Sequence, residues 1–184
     1  MRTAVDQITA LMGWPATGVE TYITGSTPLL VLGEIDGNEH ARRVAEGRLP
    51  VTDAFLLRCV CHEDPGFATR PSPVNARAIV AVRRRWNSAF EAIGAMAAFA
   101  PRIVAIPAPQ ARSDQVAVEA IATGIGVVAT NAGAPWDLVH APAPVRAPVR
   151  TWVHRWVEET MYNAFLAAVE HAPVGPVIKP RASP

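Results

Sequence analysis

The alternation of apolar and amphipathic segments between residues 78 and 130 constrains the fold more than any other feature of this sequence. Short apolar runs at 78–82, 103–106 and 127–130 have the length and composition of buried strands. Segments of helical length separate these runs. Strands joined by helices at this spacing pair in parallel through right-handed crossovers, so the pattern predicts an α/β fold with a parallel portion in its sheet.

Capping residues indicate where the two intervening helices begin and end. The first is expected to begin at Asn87 or Ser88, with Glu91 in the capping-box position, and to be buried because it is almost entirely apolar or small. The second is expected to begin after Ser113 and to end at Gly124, since glycine readily adopts the conformation that ends a helix.

The first half of the chain contains further predicted elements. Periodicity predicts a helix over 2–12 and a buried strand over 29–35, and Asn38 marks the start of a short polar helix over 38–46. The apolar stretch at 53–61 is interpreted as another interior strand. Together with the later strands, these elements predict a mixed central sheet with helices on both faces.

The last predicted helix is the longest, over residues 151–171, and is amphipathic with a broad apolar stripe. Trp152 and Trp156 lie on this stripe at i and i+4. Large aromatic residues are favoured at protein interfaces, so these two predict either a homodimer through this helix or packing on the chain's own sheet. We expect a single α/β domain over 1–172, followed by a flexible proline-rich tail over 173–184.

Composition excludes several classes of protein. Half of the 184 residues are hydrophobic, which is enough for a core, and the formal net charge of +1 gives no global attraction to nucleic acid or membranes. No apolar stretch approaches the roughly 20 residues of a membrane helix, and the N-terminal segment does not resemble a signal peptide. Cys59 and Cys61 are interpreted as reduced, buried thiols, so we expect a cytoplasmic protein without membrane contact.

The predicted elements follow the order helix, strand, strand, strand, helix, strand, helix, strand. In that order, the segment LPVTDAFLLRC supplies one core strand, and the segment ARAIVAVRRRW supplies the next strand and the start of a helix. Over residues 1–131 this arrangement resembles the restriction-endonuclease-like, or PD-(D/E)XK, fold. In that family an Asp on the second core strand and an acid-x-Lys on the third bind a divalent metal and orient water.

The resemblance implies where a nuclease site would lie and also that the site is incomplete. Asp53 corresponds to the family's first metal position. The tripeptide aligned with acid-x-Lys is Ala81-Val82-Arg83, which has neither a carboxylate nor a lysine. Arg83 cannot act as a base because a guanidinium stays protonated. We therefore expect a diverged member without nuclease activity and without a resident cofactor.

Arg83, Arg84, Arg85 and Trp86 form the most suggestive short stretch. Three cations beside an aromatic ring can hold a phosphate backbone and stack a base, so these four residues are predicted to bind nucleic acid. On a strand only Arg83 and Arg85 would share a face. The alternative is a solvated strand end whose arginines pair with acids.

A second set of candidates consists of acidic residues near strand ends. Glu34 and Asp36 follow the 29–35 strand, and together with Asp53 they would form a carboxylate cluster suited to Mg²⁺ if the two strands were neighbours. The alternative is that Asp53 caps a turn and the other two are solvated. Cys59-x-Cys61-His62 has no second ligand pair and is not interpreted as a zinc site.

Three functional hypotheses follow from these residues. The leading one is a non-catalytic nucleic-acid-binding or interaction module on a nuclease-like scaffold. The first alternative is a diverged, divalent-metal-dependent nuclease that would use Mg²⁺ at Glu34, Asp36 and Asp53. The second alternative is a protein-only scaffold or regulator that acts through its C-terminal helix.

Overall fold

A mixed six-stranded sheet organises the computed structural model of the chain, which describes residues 2–14, 17–23, 27–145 and 150–170. The strands lie side by side in chain order: β1 (Thr17–Thr21), β2 (Leu29–Ile35), β3 (Val74–Val82), β4 (Arg102–Pro107), β5 (Gly126–Thr130) and β6 (Asp137–His140). The first three are antiparallel, β3, β4 and β5 are parallel, and β6 is antiparallel to β5. The predicted parallel portion is therefore confirmed, with antiparallel strands on either side.

Helices cover both faces of this sheet, as predicted. In the described residues they are α1 (Arg2–Met12), α2 (Gly37–Ala45), α3 (Ala54–Glu63), α4 (Trp86–Ile93), α5 (Ala108–Ala111), α6 (Asp114–Thr123) and α7 (Trp152–Glu170). Two 3₁₀ turns follow α3 and α4, at Pro65–Thr69 and Gly94–Ala98. No helix of the described ranges is both long and apolar enough to cross a membrane. The predicted tail over 173–184 lies outside the described residues.

Two apolar clusters pack on opposite faces of the sheet. On one face Ile8 of α1 is fully buried in a cluster with residues of β2, β3, β4 and β5. On the other face α4, α6 and α7 contribute buried side chains such as Ile93, Val116 and Phe165. Burying one such side chain contributes roughly 1.5–3 kcal/mol, so these two clusters hold the layers together.

The stretch 53–61, predicted as an interior strand, is instead helical, and that prediction was wrong. Asp53 is the N-cap of α3, and its carboxylate accepts a hydrogen bond from the N–H of Leu56 at 2.7 Å. Leu57 is the buried residue of this helix, whereas Phe55 is 76% exposed. A short apolar run does not distinguish a strand from a helix, and the capping Asp was the local signal for the helix.

Two helix starts also differ from prediction, by two or three residues. Asp36, rather than Asn38, caps α2, since its carboxylate accepts a hydrogen bond from the N–H of Glu39 at 2.9 Å. Helix α4 begins at Trp86, and its N-cap residue, Arg85, makes no side-chain capping hydrogen bond. Helix α6 begins after Ser113 and ends at Gly124, where φ is 68°, as predicted.

Helix α7 is held in place by buried charges that its apolar stripe did not reveal. Arg155 and Glu159 are both 0% exposed. The carboxylate of Glu159 accepts hydrogen bonds from Nη1 and Nη2 of Arg43 at 2.9 and 2.6 Å, and Nε of Arg43 donates to Glu39 at 2.9 Å. Nε of Arg155 lies 2.8 Å from Glu159. We call these four residues the buried ion network; it joins α2 to α7.

The acid of α2 in this network is held ionised. Burial alone would raise the pKa of the Glu39 carboxyl, but hydrogen bonds from Arg42 and Arg43 outweigh it and leave that pKa below its usual value. Each arginine of the network therefore has a negatively charged partner. Buried charges are tolerated only when they are paired and hydrogen-bonded in this way.

Removing one charge from the buried ion network should destabilise the protein strongly. Glu159→Gln leaves two buried guanidinium groups without their shared carboxylate, and we expect the free energy of unfolding in urea to fall by about 3–5 kcal/mol. Glu170→Gln, at an exposed position of the same helix, removes the same charge and should change stability by less than about 0.5 kcal/mol. Equal effects of the two substitutions would contradict the importance of the network.

Gly33 lies at a register shift between β2 and β3, where the backbone of β3 leaves no room for a side chain. A Cβ at this position would lie 2.5 Å from the backbone oxygen of Asn75. Gly33→Ala is expected to lower the urea midpoint, with a cost of about 1–3 kcal/mol for overpacking. The matched control is Gly37→Ala in α2, where nothing lies within 4 Å of the added Cβ. An unchanged midpoint for Gly33→Ala would contradict this packing.

Candidate phosphate-binding site

A polar groove lies at the edge of the sheet where parallel strands β3 and β4 end. Ligands of open α/β sheets bind in crevices at the carboxyl ends of the strands, so this edge is the expected place for a site. The groove has a volume of about 520 Å³. Its lining is mostly polar and comprises Arg85, Trp86, Asn87, Ser88, Glu91, Gln110, Ser113, Gln115 and Val116. We call it the edge groove.

The start of α4 borders this groove, and its backbone is fixed by hydrogen bonds from Gln110. Gln110 of α5 fixes the loop, because its Nε2 donates to the carbonyl oxygen of Arg84 at 2.8 Å and its Oε1 accepts from the N–H of Trp86 at 3.1 Å. The side chain of the N-cap residue, Arg85, makes no capping hydrogen bond. Among the described residues, no side chain accepts from the N–H groups of Asn87 or Ser88, the next two after Trp86. Both residues line the groove. Uncapped N–H groups at a helix start carry a partial positive charge and suit an anion.

The charges around the groove are mixed. Arg84 and Arg85 are both exposed, and Arg85 lines the groove. Two acids are nearby: Glu91 lines the groove, and Glu119 accepts a 2.5 Å hydrogen bond from the indole N–H of Trp86. Hydrogen bonds from Gln115 and Trp86 lower the pKa of the Glu119 carboxyl. Glu119 therefore keeps its negative charge, and the donors that suit the oxygens of a phosphate are Arg85 and the N–H groups of Asn87 and Ser88.

The four residues predicted to bind nucleic acid do not form one surface. Arg83 turns back onto the chain, where its Nη1 and Nη2 donate to the carbonyl oxygens of Val82 and Pro28 at 2.7 and 2.8 Å. Trp86 is 4% exposed and belongs to the core. A base cannot stack on a buried ring, so the predicted stacking role of Trp86 was wrong. Arg84 and Arg85 remain available.

A smaller cavity of about 260 Å³ lies beside Arg83, on the face of the sheet that α1 covers. Leu30 and Val80, which pair between β2 and β3, line it together with Glu20 of β1. Glu20 is the one carboxylate among its lining residues. This cavity lies where β3 ends at Val82, the middle residue of the Ala81-Val82-Arg83 tripeptide.

The three candidate metal ligands serve separate local roles. Asp36 and Asp53 cap α2 and α3, and the carboxylate of Glu34 lies 3.6 Å from Nη2 of Arg77. Within the described ranges, no three His, Cys, Asp or Glu side chains come together as a group that could hold a metal ion. The predicted carboxylate cluster is therefore not assembled, because 53–61 is a helix and not a strand beside β2.

The two tryptophans of α7 have different surroundings. The indole N–H of Trp156 donates to the carbonyl oxygen of Thr52 at 2.7 Å, and its ring packs partly on the core. Trp152 lines a cavity of about 540 Å³ together with Cys59 and Cys61 of α3. Both cysteines carry free thiols, and burial raises the pKa of Cys61. Trp156 thus packs on its own chain, while a homodimer through α7 stays a prediction.

Truncating Gln110 should loosen the start of α4. Gln110→Ala removes two hydrogen bonds to the loop backbone, and we expect the free energy of unfolding to fall by about 1–2 kcal/mol. Gln115→Ala is the matched control, since its side chain makes one exposed hydrogen bond to Glu119 and should change stability by less than about 0.5 kcal/mol. Urea unfolding of both variants checks this, and a stability of Gln110→Ala equal to the control would contradict it.

Sequence reasoning identified Arg85 but not the polar residues around it. Asn87 and Ser88 were expected to cap α4, whereas the helix begins before them and leaves their N–H groups open. Gln110 gave no local signal, because its role depends on contacts with a loop 24 to 26 residues earlier in the chain. No protein-family model, no curated protein and no solved structure matches this chain.

Proposed function

We propose that the chain is a non-catalytic nucleic-acid-binding module whose edge groove holds backbone phosphates. The observation that carries this proposal is the start of α4, where Asn87 and Ser88, whose N–H groups have no side-chain acceptor among the described residues, line a polar groove beside Arg85. Backbone N–H groups at a helix start and an arginine side chain are the donors that proteins use for phosphate oxygens. The position at the carboxyl ends of β3 and β4 adds support.

The exposed neighbour of Arg85 favours a strand of nucleic acid over a single small anion. Arg84 lies outside the groove lining and is exposed, so it offers a second cation to the next phosphate of the same strand. Because Trp86 is buried, the proposal has no base-stacking step. Binding through phosphates alone is independent of sequence and depends strongly on salt.

A restriction-endonuclease-like scaffold is part of this proposal. Elements α1, β1, β2, β3, α4 and β4 occur in the helix, strand, strand, strand, helix, strand order on which the resemblance depends, with α2 and α3 inserted between β2 and β3. The second strand of that order is then β2 rather than 53–61. At the end of β3 the lining of the neighbouring cavity has Glu20 as its one carboxylate, and a lone carboxylate binds Mg²⁺ weakly. This supports a non-catalytic role over the nuclease alternative.

Removing the two exposed cations should weaken binding and its dependence on salt. We expect Arg84→Gln combined with Arg85→Gln to reduce the slope of log K against log salt by about 2, because two phosphate contacts are lost. The measurement is fluorescence anisotropy of labelled single-stranded DNA, duplex DNA and RNA between about 50 and 200 mM salt.

The matched control is Arg58→Gln combined with Arg77→Gln, which removes the same charge from exposed positions elsewhere. Its salt slope should equal that of the wild type. Absence of binding at low salt would contradict the proposal and favour a protein-only scaffold. Equal effects of the two double variants would contradict the assignment of binding to the edge groove. Cleavage of plasmid DNA that requires Mg²⁺ or Mn²⁺ would overturn its non-catalytic part.

A further inference from the structure

The cavity of about 260 Å³ beside Arg83 has features that nucleic-acid binding does not use. Its charged lining residues are Glu20 and Arg83. The apolar walls are formed by Ala4, Pro28, Leu30, Val80 and Val82. An apolar cavity with a few convergent polar groups is the usual form of a small-molecule site. We call it the β3 cavity.

The carboxylate of Glu20 is exposed at this cavity and has no partner. Glu20 stands opposite Leu30 of β2, which in turn stands opposite Val80 of β3. Side chains of residues directly opposite one another lie on the same face of a sheet, so Glu20 shares the face of the apolar walls. Within the described ranges, no cation lies at ion-pair distance from its carboxylate. Its negative charge is therefore free to meet a cationic group.

The guanidinium of Arg83 is fixed in place but also lacks a counter-ion. Its Nη1 and Nη2 donate to the carbonyl oxygens of Val82 and Pro28, which anchor the group without neutralising it. A guanidinium has more N–H groups than these two bonds use, and the described part of the chain supplies no further acceptor. Arg83 is partly exposed, so its charge is accessible from the cavity.

The two charges are spaced so that one small ligand can bridge them. They do not pair with each other. Arg83 is bonded to Pro28, and Glu20 stands opposite Leu30, two residues further along the chain. Two residues of extended chain span about 7 Å. Two hydrogen bonds of about 2.9 Å, joined by the roughly 3 Å between the nitrogen and a carboxylate oxygen of an α-amino acid, cover about 8–9 Å.

We infer that the β3 cavity binds a small, zwitterionic α-amino acid with an apolar side chain. Its carboxylate accepts hydrogen bonds from Arg83, its ammonium group donates to Glu20, and its side chain contacts the apolar wall around Val82. Planar carboxylates match the geometry of a guanidinium. The volume lies below the roughly 300–1,000 Å³ of sites for drug-sized ligands, so the ligand has few heavy atoms.

The opposite charges argue against ligands that carry a single charge. A monocarboxylate would meet the negative charge of Glu20, and a simple amine would meet the positive charge of Arg83; each would leave one lining charge unpaired. L-Leucine is the first probe, and 4-methylpentanoate and 3-methylbutylamine are its analogues without the ammonium and the carboxylate. The ω-amino acid 6-aminohexanoate carries both charges at a larger separation.

The direct test is nuclear magnetic resonance of the ¹⁵N-labelled full chain, observing the backbone amide signals of Leu30 and Val82. L-Leucine should shift these signals saturably, and the other three probes should bind at least about tenfold more weakly, since each loses a hydrogen bond to a charged group. No saturable shift with L-leucine would overturn the inference. Equal or tighter binding of any of the other probes would also overturn it.

Glu20→Gln tests the partner of the ammonium group at an exposed position of β1. Leucine binding should weaken at least about tenfold, because the amide offers no charge to the ammonium group. Binding of 4-methylpentanoate should not weaken, which separates a lost contact from a general disturbance of the cavity. The control Glu63→Gln removes the same charge from an exposed position of α3 and should leave leucine binding unchanged. An equal loss for both probes, or none for leucine, would contradict the inference.

A second variant fills the cavity without removing a charge. Val82→Phe adds volume to a wall residue that is 38% exposed and should weaken leucine binding at least about tenfold. The control Val118→Phe makes the same change at a position of α6 that is 68% exposed, and binding should not change. Unchanged binding in Val82→Phe would place the ligand elsewhere and overturn the inference.

This inference and the proposed function fail independently. The Arg84→Gln, Arg85→Gln double variant should bind leucine like the wild type, since neither residue lines the β3 cavity. Glu20→Gln should not weaken the binding of nucleic acid, because Glu20 does not line the edge groove. Loss of leucine binding in the double arginine variant would contradict the placement of the amino acid in the β3 cavity.

Discussion

The contact between Glu159 and Arg43 is the interaction on which the rest of the structure depends. One carboxylate receives both Nη groups of Arg43 and the N–H of Val51 at 3.2 Å, and it lies beside Arg155. It thereby ties α2 and the following loop to the helix that covers one face of the sheet. A buried ion pair of this kind adds little net stability, yet removing one partner is costly. The charges therefore specify how α7 docks more than they stabilise it.

The edge groove has a different origin, because it follows from the parallel pairing of the sheet. The register of β3 and β4, with Val82 opposite Ala105, brings both strands to an end at the same edge. Helix α5 follows β4 directly, so Gln110 reaches the loop before α4 and fixes its backbone. The N–H groups at the start of α4 are thus positioned by the fold, independently of any ligand. Such preorganisation reduces what binding must spend on ordering the site.

Short-range sequence patterns predicted the central strands and several helix ends of this fold. The strands around Ile79, Val104 and Val127 and the cap at Ser113 were predictable, because periodicity and capping act within a few residues. Glu159 and Arg43 are 116 residues apart, and no spacing on α7 could show that its charged residue faces inward. The stacking role predicted for Trp86 was wrong for the same reason. Its ring is buried in the core and bonded to Glu119, whereas the arginines just before it in sequence, Arg84 and Arg85, are exposed.

The nearly exclusive use of arginine among the basic residues matters both in the edge groove and in the buried ion network. A buried lysine can lose its proton and become neutral, whereas a guanidinium stays charged near neutral pH. Burial lowers the pKa of Arg155, but its charge remains. The exposed Arg84 and Arg85 can donate to water. Arg155 is 0% exposed, and its partners lie inside the fold: the carboxylate of Glu159 and the carbonyl oxygens of Arg70 and Pro71.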